Sequence, residues 1–252
     1  MRSIKVRGTE FGNGIPKICV PIVGKTDEEI LQQADVAVRA NPDCVELRID
    51  WYDNVYDADK VTRLLSKLRE LIGDIVLLFT FRSVNEGGEK SISIEQYRGL
   101  YEEACKSRYI DLLDVEAFMQ DGLLADLVEV AHRYNVYVVG SNHDFNGTPS
   151  EEELLYRLQR IDALGADIPK LAVMPGGERD VLRLMSATLS YHENGGEKPI
   201  ITMSMGAMGG ISRLAGEGIG SVLTFATVGR TSAPGQVPIK QVRQLLNLLH
   251  ES

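Results

Sequence analysis

The sequence predicts an α/β protein built as a (β/α)8 TIM barrel with a short N-terminal β-hairpin. Three observations predict it. Eight short apolar or β-branched runs recur at intervals of roughly thirty residues, the size of one βα unit. Between them lie segments with helical spacing and helix-start signals. Charged side chains occupy alternate positions inside several runs, and a packed barrel accepts those most cheaply where its strands end at the C-terminal mouth.

The elements follow in order. The opening MRSIKVRGTEFGNG alternates and then turns, so the residues before Lys17 predict a small hairpin, placed to cap the barrel bottom. The strands read KICVPIVG (17–24), CVELRID (44–50), IVLLFTFRS (75–83), YIDLLDVEA (109–117), NVYVVGSNHDF (135–145), PKLAVMP (169–175), PIITMSM (199–205) and SVLTFATV (221–228). Thr26 followed three residues on by Glu29 is a capping box. Thr148, Pro149 and Glu151 supply an N-cap, an N1 proline and a capping acid. The last segment, IKQVRQLLNLLHES, places Val242, Leu245, Leu246 and Leu249 on one helical face. Strands alternating with helices imply a parallel sheet, and eight of them close a barrel. An open doubly wound sheet ranks second, because no glycine-rich nucleotide fingerprint follows the first strand. No linker or low-complexity tract divides the chain, so residues 1–252 read as one barrel domain.

Composition narrows the function classes. The net charge of −9 opposes binding to nucleic acid or an anionic membrane, while a few arginines in one cleft still suit a small anionic ligand. Cys19, Cys44 and Cys105 are odd in number and lack CxxC spacing, which reads as free buried thiols in a reducing cytoplasm. No apolar run has the length of a signal peptide core or a membrane span.

With period two, Glu46, Arg48 and Asp50 share one face of strand two. Strand three puts Thr80 and Arg82 together, strand four Asp114 and Glu116, strand five Ser141 and His143, and strand six Lys170, Ala172 and Met174. One mouth therefore collects Glu46, Arg48, Arg82, Glu116, His143 and Lys170, and Arg213 and the SAPGQ loop (232–236) follow strands seven and eight. Each has a plainer alternative. Glu46–Arg48–Asp50 reads equally as an ion-pair ladder, Arg82 and Glu116 as a structural pair, Asp114 as structural and Glu86 as a solvated turn residue. Met203 and Met205 suit core filling, and His132, His192 and His250 sit at predicted helix C-termini. Lys170 resists the plain reading. Glu116 is a possible partner, but a lysine among Arg48, Arg82 and a charged His143 in a dry site gives up its proton more readily, and a neutral amine attacks carbonyls.

The segments ELRID, LFTFRS with EGGE, SNHDF, IPKLAVMP, ITMSM with ISRLAGE, and SAPGQ occur in that order across nearly the whole chain, which resembles the type I 3-dehydroquinate dehydratase family. The resemblance implies a (β/α)8 barrel, usually a homodimer, using neither metal nor organic cofactor. It implies syn elimination of water from 3-dehydroquinate to give 3-dehydroshikimate, in aromatic amino acid biosynthesis. Lys170 would form a Schiff base with the C3 ketone, His143 would be the general acid/base and Glu86 would orient it. Arg213, Ser232 and Gln236 would hold the substrate carboxylate. Glu46, Arg48 and Arg82 would read the ring hydroxyls, and Phe145, Met203, Met205 and Ala233 would wall the carbon ring. The chain departs from the family after strand six, where Met174-Pro175 runs into Gly176-Gly177 rather than a glutamine, and its SMGAMGGISR segment is rich in glycine. Two rivals stand beside this reading. A class I aldolase also uses a barrel lysine, and a non-catalytic quinate or shikimate binding barrel would keep the shape without turnover.

Overall fold

The computed structural model of the chain describes residues 2–229, 235 and 237–251. The hairpin forms first: β1 (Ile4–Val6) pairs antiparallel with β2 (Thr9–Phe11). The parallel strands follow as β3 (Lys17–Ile22), β4 (Cys44–Arg48), β5 (Val76–Thr80), β6 (Leu112–Glu116), β7 (Tyr137–Asp144), β8 (Ile168–Val173), β9 (Ile201–Ser204) and β10 (Leu223–Thr227). A two-residue strand, β11 (Val237–Pro238), extends the edge beyond β10. Among the described residues these strands make one curled nine-stranded parallel sheet, ordered β11-β10-β3-β4-β5-β6-β7-β8-β9. Its far ends approach at an isolated parallel bridge between Ile200 and Ser221, where the Val222 N–H donates to the Ile200 carbonyl at 2.9 Å.

Helices α1 (Asp27–Arg39), α2 (Ala58–Ile72), α3 (Ile94–Ser107), α4 (Leu123–Arg133), α5 (Glu151–Ala163) and α6 (Glu178–Glu193) connect successive strands. The short α7 (Gly210–Leu214) and α8 (Gly216–Ile219) join β9 to β10, and α9 (Ile239–His250) ends the chain. Local chemistry starts several of them. Thr26 caps α1 by accepting the Glu29 N–H, and Ser93 and Gln96 form a reciprocal capping box on α3. Two expected features differ. The N-cap of α5 is Ser150, which accepts the Glu153 N–H, whereas the Thr148 hydroxyl donates to the Met174 carbonyl and ties the entering loop to the turn after β8. On α9 only Ile239, Val242 and Leu246 are buried, while Leu245 and Leu249 are exposed, because the helix offers the sheet a narrower stripe than its apolar sequence provides.

Strand parity divides the core in two. Val45, Leu47, Leu77, Phe79, Leu113, Val115, Val138, Leu171 and Val173 face the helices and pack with their apolar stripes. The opposite face is apolar toward the strand N-termini: Cys19, Cys44, Val76, Leu78, Leu112, Val139, Ile168 and Ile201 pack with one another and with Val6 and Phe11 of the hairpin. The hairpin therefore seals the N-terminal end of the sheet, and Arg7 fixes it by donating from Nε to Asp111 at 2.5 Å. Nearer the C-terminal ends the same face turns polar, with Glu46, Arg48, Thr80, Asp114, Glu116, Ser141 and Lys170 all buried. Among the described residues no helix is long and apolar enough to cross a membrane.

The buried Phe11 ring carries much of the hairpin's attachment. Phe11→Ala should lower stability by about 3–5 kcal/mol, as expected for removing a fully buried aromatic side chain. Chemical denaturation followed by circular dichroism measures this, and an unchanged midpoint would show that the hairpin does not seal the core.

Candidate active site

The polar face opens into a cavity at the C-terminal ends of the strands. Glu46 and Arg48 reach it from β4, His143 from β7, Lys170 and Ala172 from β8, Met203 from β9 and Phe225 from β10. Arg82 and Glu86 enter from the segment after β5, Phe145 from the segment after β7, Met205 from the segment after β9 and Arg213 from α7. Ten of the residues singled out in the sequence thus line one cavity: Glu46, Arg48, Arg82, Glu86, His143, Phe145, Lys170, Met203, Met205 and Arg213. Ser232, Ala233 and Gln236 lie outside the described residues.

Arg82 organises the site. Its Nη2 donates to Asp114 Oδ1 at 2.5 Å, and its Nη1 lies 3.1 Å from Glu116 Oε1, 3.0 Å from Ser141 Oγ and 3.4 Å from Glu86 Oε2. Glu116 accepts in turn from the backbone N–H and the hydroxyl of Ser83, both at 2.7 Å. Two tyrosines of α3 complete the support. The Tyr101 hydroxyl donates to the Asp114 carbonyl at 2.6 Å, and the Tyr97 hydroxyl accepts the Glu116 N–H at 3.1 Å. They satisfy backbone groups where the strands diverge and ladder partners run out.

Lys170 Nζ donates to Asp114 Oδ2 at 2.7 Å and sits 4.9 Å from the centre of the Phe225 ring. The sequence offered Glu116 as a possible partner and left Asp114 as structural. Register explains why this fails. Lys170 and Glu116 both align with Ser141, yet the Glu116 carboxylate is drawn to Ser83, so the lysine folds back toward Asp114. Burial alone would raise the Asp114 carboxyl, but Arg82 and Lys170 outweigh it and hold it well below the usual carboxylate range.

Glu86 ends a short 3-10 turn, Val84–Glu86, closed by Gly87 in the left-handed region at φ 82°. Gly88 follows so tightly against the Arg82 carbonyl that a Cβ there would lie 1.8 Å from its oxygen, so no larger residue fits. This turn inserts Glu86 into the site rather than leaving it solvated. Its Oε2 accepts the His143 backbone N–H at 3.0 Å and lies 2.8 Å from His143 Nδ1, and its Oε1 accepts from Asn142 at 3.1 Å. Burial pushes Glu86 up to about 8, against the pull of Arg82. Burial, Arg82 and Lys170 together hold His143 well below its ordinary range, which corrects the expectation of a charged imidazole. At 2.8 Å the two groups titrate as a coupled pair.

Arg48 forms a fork with Asp50, with both bonds at 2.8 Å, so the expected ladder is real for that pair. Glu46 accepts from the Thr80 hydroxyl at 2.9 Å. Arg213 is buried, burial pulls it down to about 10, and its Nη1 lies 3.6 Å from Met203 Sδ. Asp114 and Phe225, which hold the lysine, escaped the sequence reading of the site. The alternation that grouped Asp114 with Glu116 was the signal for the first; none was read for Phe225. Among the described residues no group of three or more His, Cys, Asp or Glu side chains is arranged to hold a metal ion.

A dry lysine, an imidazole–carboxylate pair and several arginines converging on the strand ends define a class: an α/β site equipped for imine chemistry on a small anion. The profile of the family described as Type I 3-dehydroquinase matches residues 18–252. A 3-dehydroquinate dehydratase of Clostridioides difficile is 49% identical over 251 residues, covering 100% of this chain and 98% of that protein. The 3-dehydroquinate dehydratase of Bacillus subtilis is 44% identical over 252 residues, covering 100% and 99%. The structure of a type I 3-dehydroquinate dehydratase from Clostridium difficile, solved with covalent modified comenic acid, superposes with a TM-score of 0.96 at 48% identity and covers 99% of this chain and 98% of that one. The chain belongs to the type I 3-dehydroquinase family.

The depressed imidazole has a measurable consequence. The side-chain 15N shifts of His143 should titrate with a midpoint below about 6.5. The unfolded chain then binds a proton that the folded site refuses, so this group's contribution to stability is lost as pH falls below that value. A midpoint at or above it would mean that the arginine and lysine charges do not govern the imidazole.

Proposed function

We propose that this chain is a type I 3-dehydroquinate dehydratase, a hydro-lyase that converts 3-dehydroquinate to 3-dehydroshikimate and water through a lysine Schiff base. The observation that carries the reading is the placement of Lys170 Nζ in a buried cavity beside the Glu86–His143 pair, in a chain of this family. Lys170 attacks the C3 ketone, and loss of water leaves a protonated imine. That imine withdraws electrons from C2 and acidifies its proton. His143 removes this proton and returns one to the departing C1 hydroxyl, which a single imidazole can do because a syn elimination keeps both transfers on one face. Glu86 holds the imidazole through Nδ1, which leaves Nε2 for the substrate. Arg213, with Ser232 and Gln236, receives the carboxylate. Glu46, Arg48 and Arg82 read the hydroxyls, while Phe145, Met203, Met205 and Ala233 wall the ring.

The finer architecture belongs to the same proposal. Residues 1–252 form one domain, and the sheet closes as a (β/α)8 barrel, a reading supported by the bridge between Ile200 and Ser221. The protein works as a cytoplasmic homodimer in aromatic amino acid biosynthesis, with neither metal nor organic cofactor. Its buried cysteines Cys19, Cys44 and Cys105 suit that reducing compartment. An aldolase fits less well, because an imidazole–carboxylate pair beside the lysine suits dehydration.

Sodium borohydride added with 3-dehydroquinate should leave a covalent adduct on Lys170, read by intact mass and peptide mapping. Lys170→Ala should abolish turnover and retain ligand binding; turnover like that of the unsubstituted protein would remove the lysine from its role. Arg213→Ala should raise KM by about 10- to 100-fold, the size expected for a lost hydrogen bond to a charged group. An unchanged KM would move the carboxylate elsewhere.

A further inference from the structure

Asp114 takes no part in the elimination described above, yet it is fully buried against the reacting nitrogen. Its two oxygens are used differently. Oδ1 accepts from Arg82 Nη2 at 2.5 Å and from Ser141 Oγ at 2.6 Å, whereas Oδ2 faces Lys170 Nζ at 2.7 Å. A carboxylate serving only to neutralise Arg82 would offer the guanidinium both oxygens as a fork. Arg82 instead turns its other terminal nitrogen to Glu116 and Ser141. On its other side Lys170 Nζ meets the face of Phe225, a second surface that favours positive charge.

We propose that Asp114 is the counterion of the imine formed at Lys170, holding that imine protonated and so setting the highest pH at which it works as an electron sink. This rests on the dehydratase reading. The charges balance at each step. When Nζ bonds to C3 and the carbonyl oxygen leaves as water, the nitrogen keeps one hydrogen and one positive charge. That N–H replaces the ammonium N–H on Oδ2. Transfer of the C2 proton to His143 moves the C–H electron pair toward nitrogen and gives a neutral enamine. Cleavage of the C1–O bond, with the His143 proton going to the leaving oxygen, makes the C1–C2 double bond and restores the charged imine. Asp114 must stay a carboxylate throughout and must not take the imine proton. The bonds to Oδ1 from Arg82 and Ser141 weaken it as a base and serve that end.

Other groups face this pair from the packed elements: Cys19 from β3, Glu46 and Arg48 from β4, Arg82 and Glu86 after β5, Tyr101 from α3, Glu116 from β6, His143 from β7 and Arg213 from α7. Among them Asp114 is the carboxylate in hydrogen-bond contact with Nζ.

The test is the pH profile of Asp114→Asn in the full chain, with 3-dehydroquinate as substrate. The alkaline limb of kcat should move to lower pH by about one to two units, the size expected when one hydrogen bond to a charged group is lost. Borohydride trapping at Lys170 should fall off over the same interval. A lowered kcat with an unmoved limb would assign Asp114 a packing role and overturn the proposal. Should Asp114→Asn fail to fold, the unsubstituted protein decides. With substrate labelled with 13C at C3, the imine carbon should keep its protonated shift up to the pH of the alkaline limb of kcat and lose it there, and a deprotonation step well below that limb, or none at it, overturns the proposal. Failure of the unsubstituted protein to form any trapped adduct would instead overturn the dehydratase reading, and this inference with it.

Discussion

A guanidinium can be buried only if its hydrogen bonds are met, and Arg82 is buried at the point where β5 ends. Its bonds to Asp114, Glu116 and Ser141 join three strand ends, and its contact with Glu86 joins them to the following turn. Two of the cavity's key groups, Glu86 and Lys170, are placed through this hub. Glu116, held by Arg82, holds Ser83 and therefore the turn that delivers Glu86. Asp114, held by Arg82, holds Lys170. Removing one member would leave another charge buried without compensation, which is why such networks are costly to break even when they add little net stability.

The network can be this polar because the rest of the interior is not. On the same face of the sheet, apolar side chains and the hairpin's Val6 and Phe11 seal the N-terminal end. On this face the polar groups lie toward the cavity end, where they are paired with one another. A low local dielectric there strengthens each interaction. Although the net charge is −9, Arg48, Arg82, Arg213 and Lys170 all line this cavity, and the local field at a cleft follows nearby charges, not the total.

The two titrating centres of the site are pushed apart by the same surroundings. Burial and the neighbouring cations hold His143 below its ordinary range, while burial raises Glu86. Asp114, close to the same cations, stays ionised because Arg82 and Lys170 touch it directly. The two carboxylates of the site thus differ in their partners: Asp114 bonds closely to both Arg82 and Lys170, whereas Glu86 lies 3.4 Å from Arg82 and bonds the imidazole.

The order of strands and helices and the inward face of each strand were determined by the sequence alone, because side-chain alternation and helical spacing are local properties of the chain. That alternation sufficed to bring Glu46, Arg48, Arg82, His143 and Lys170 to one mouth. Pairing among those residues was decided only by the tertiary structure. Lys170 chose Asp114 over Glu116 because Ser83, arriving from another loop, had already claimed Glu116. Glu86 became buried because a tight turn at Gly87–Gly88 packs it under His143, and Tyr97 and Tyr101 reached the end of β6 from a neighbouring helix. The outward Leu245 and Leu249 and the Ser150 cap follow the same rule, since neighbours distant in sequence determine which apolar stripe is covered and which hydroxyl is free to cap. Periodicity assigns a residue to a face; only register, loop contacts and competition for donors determine what it touches there.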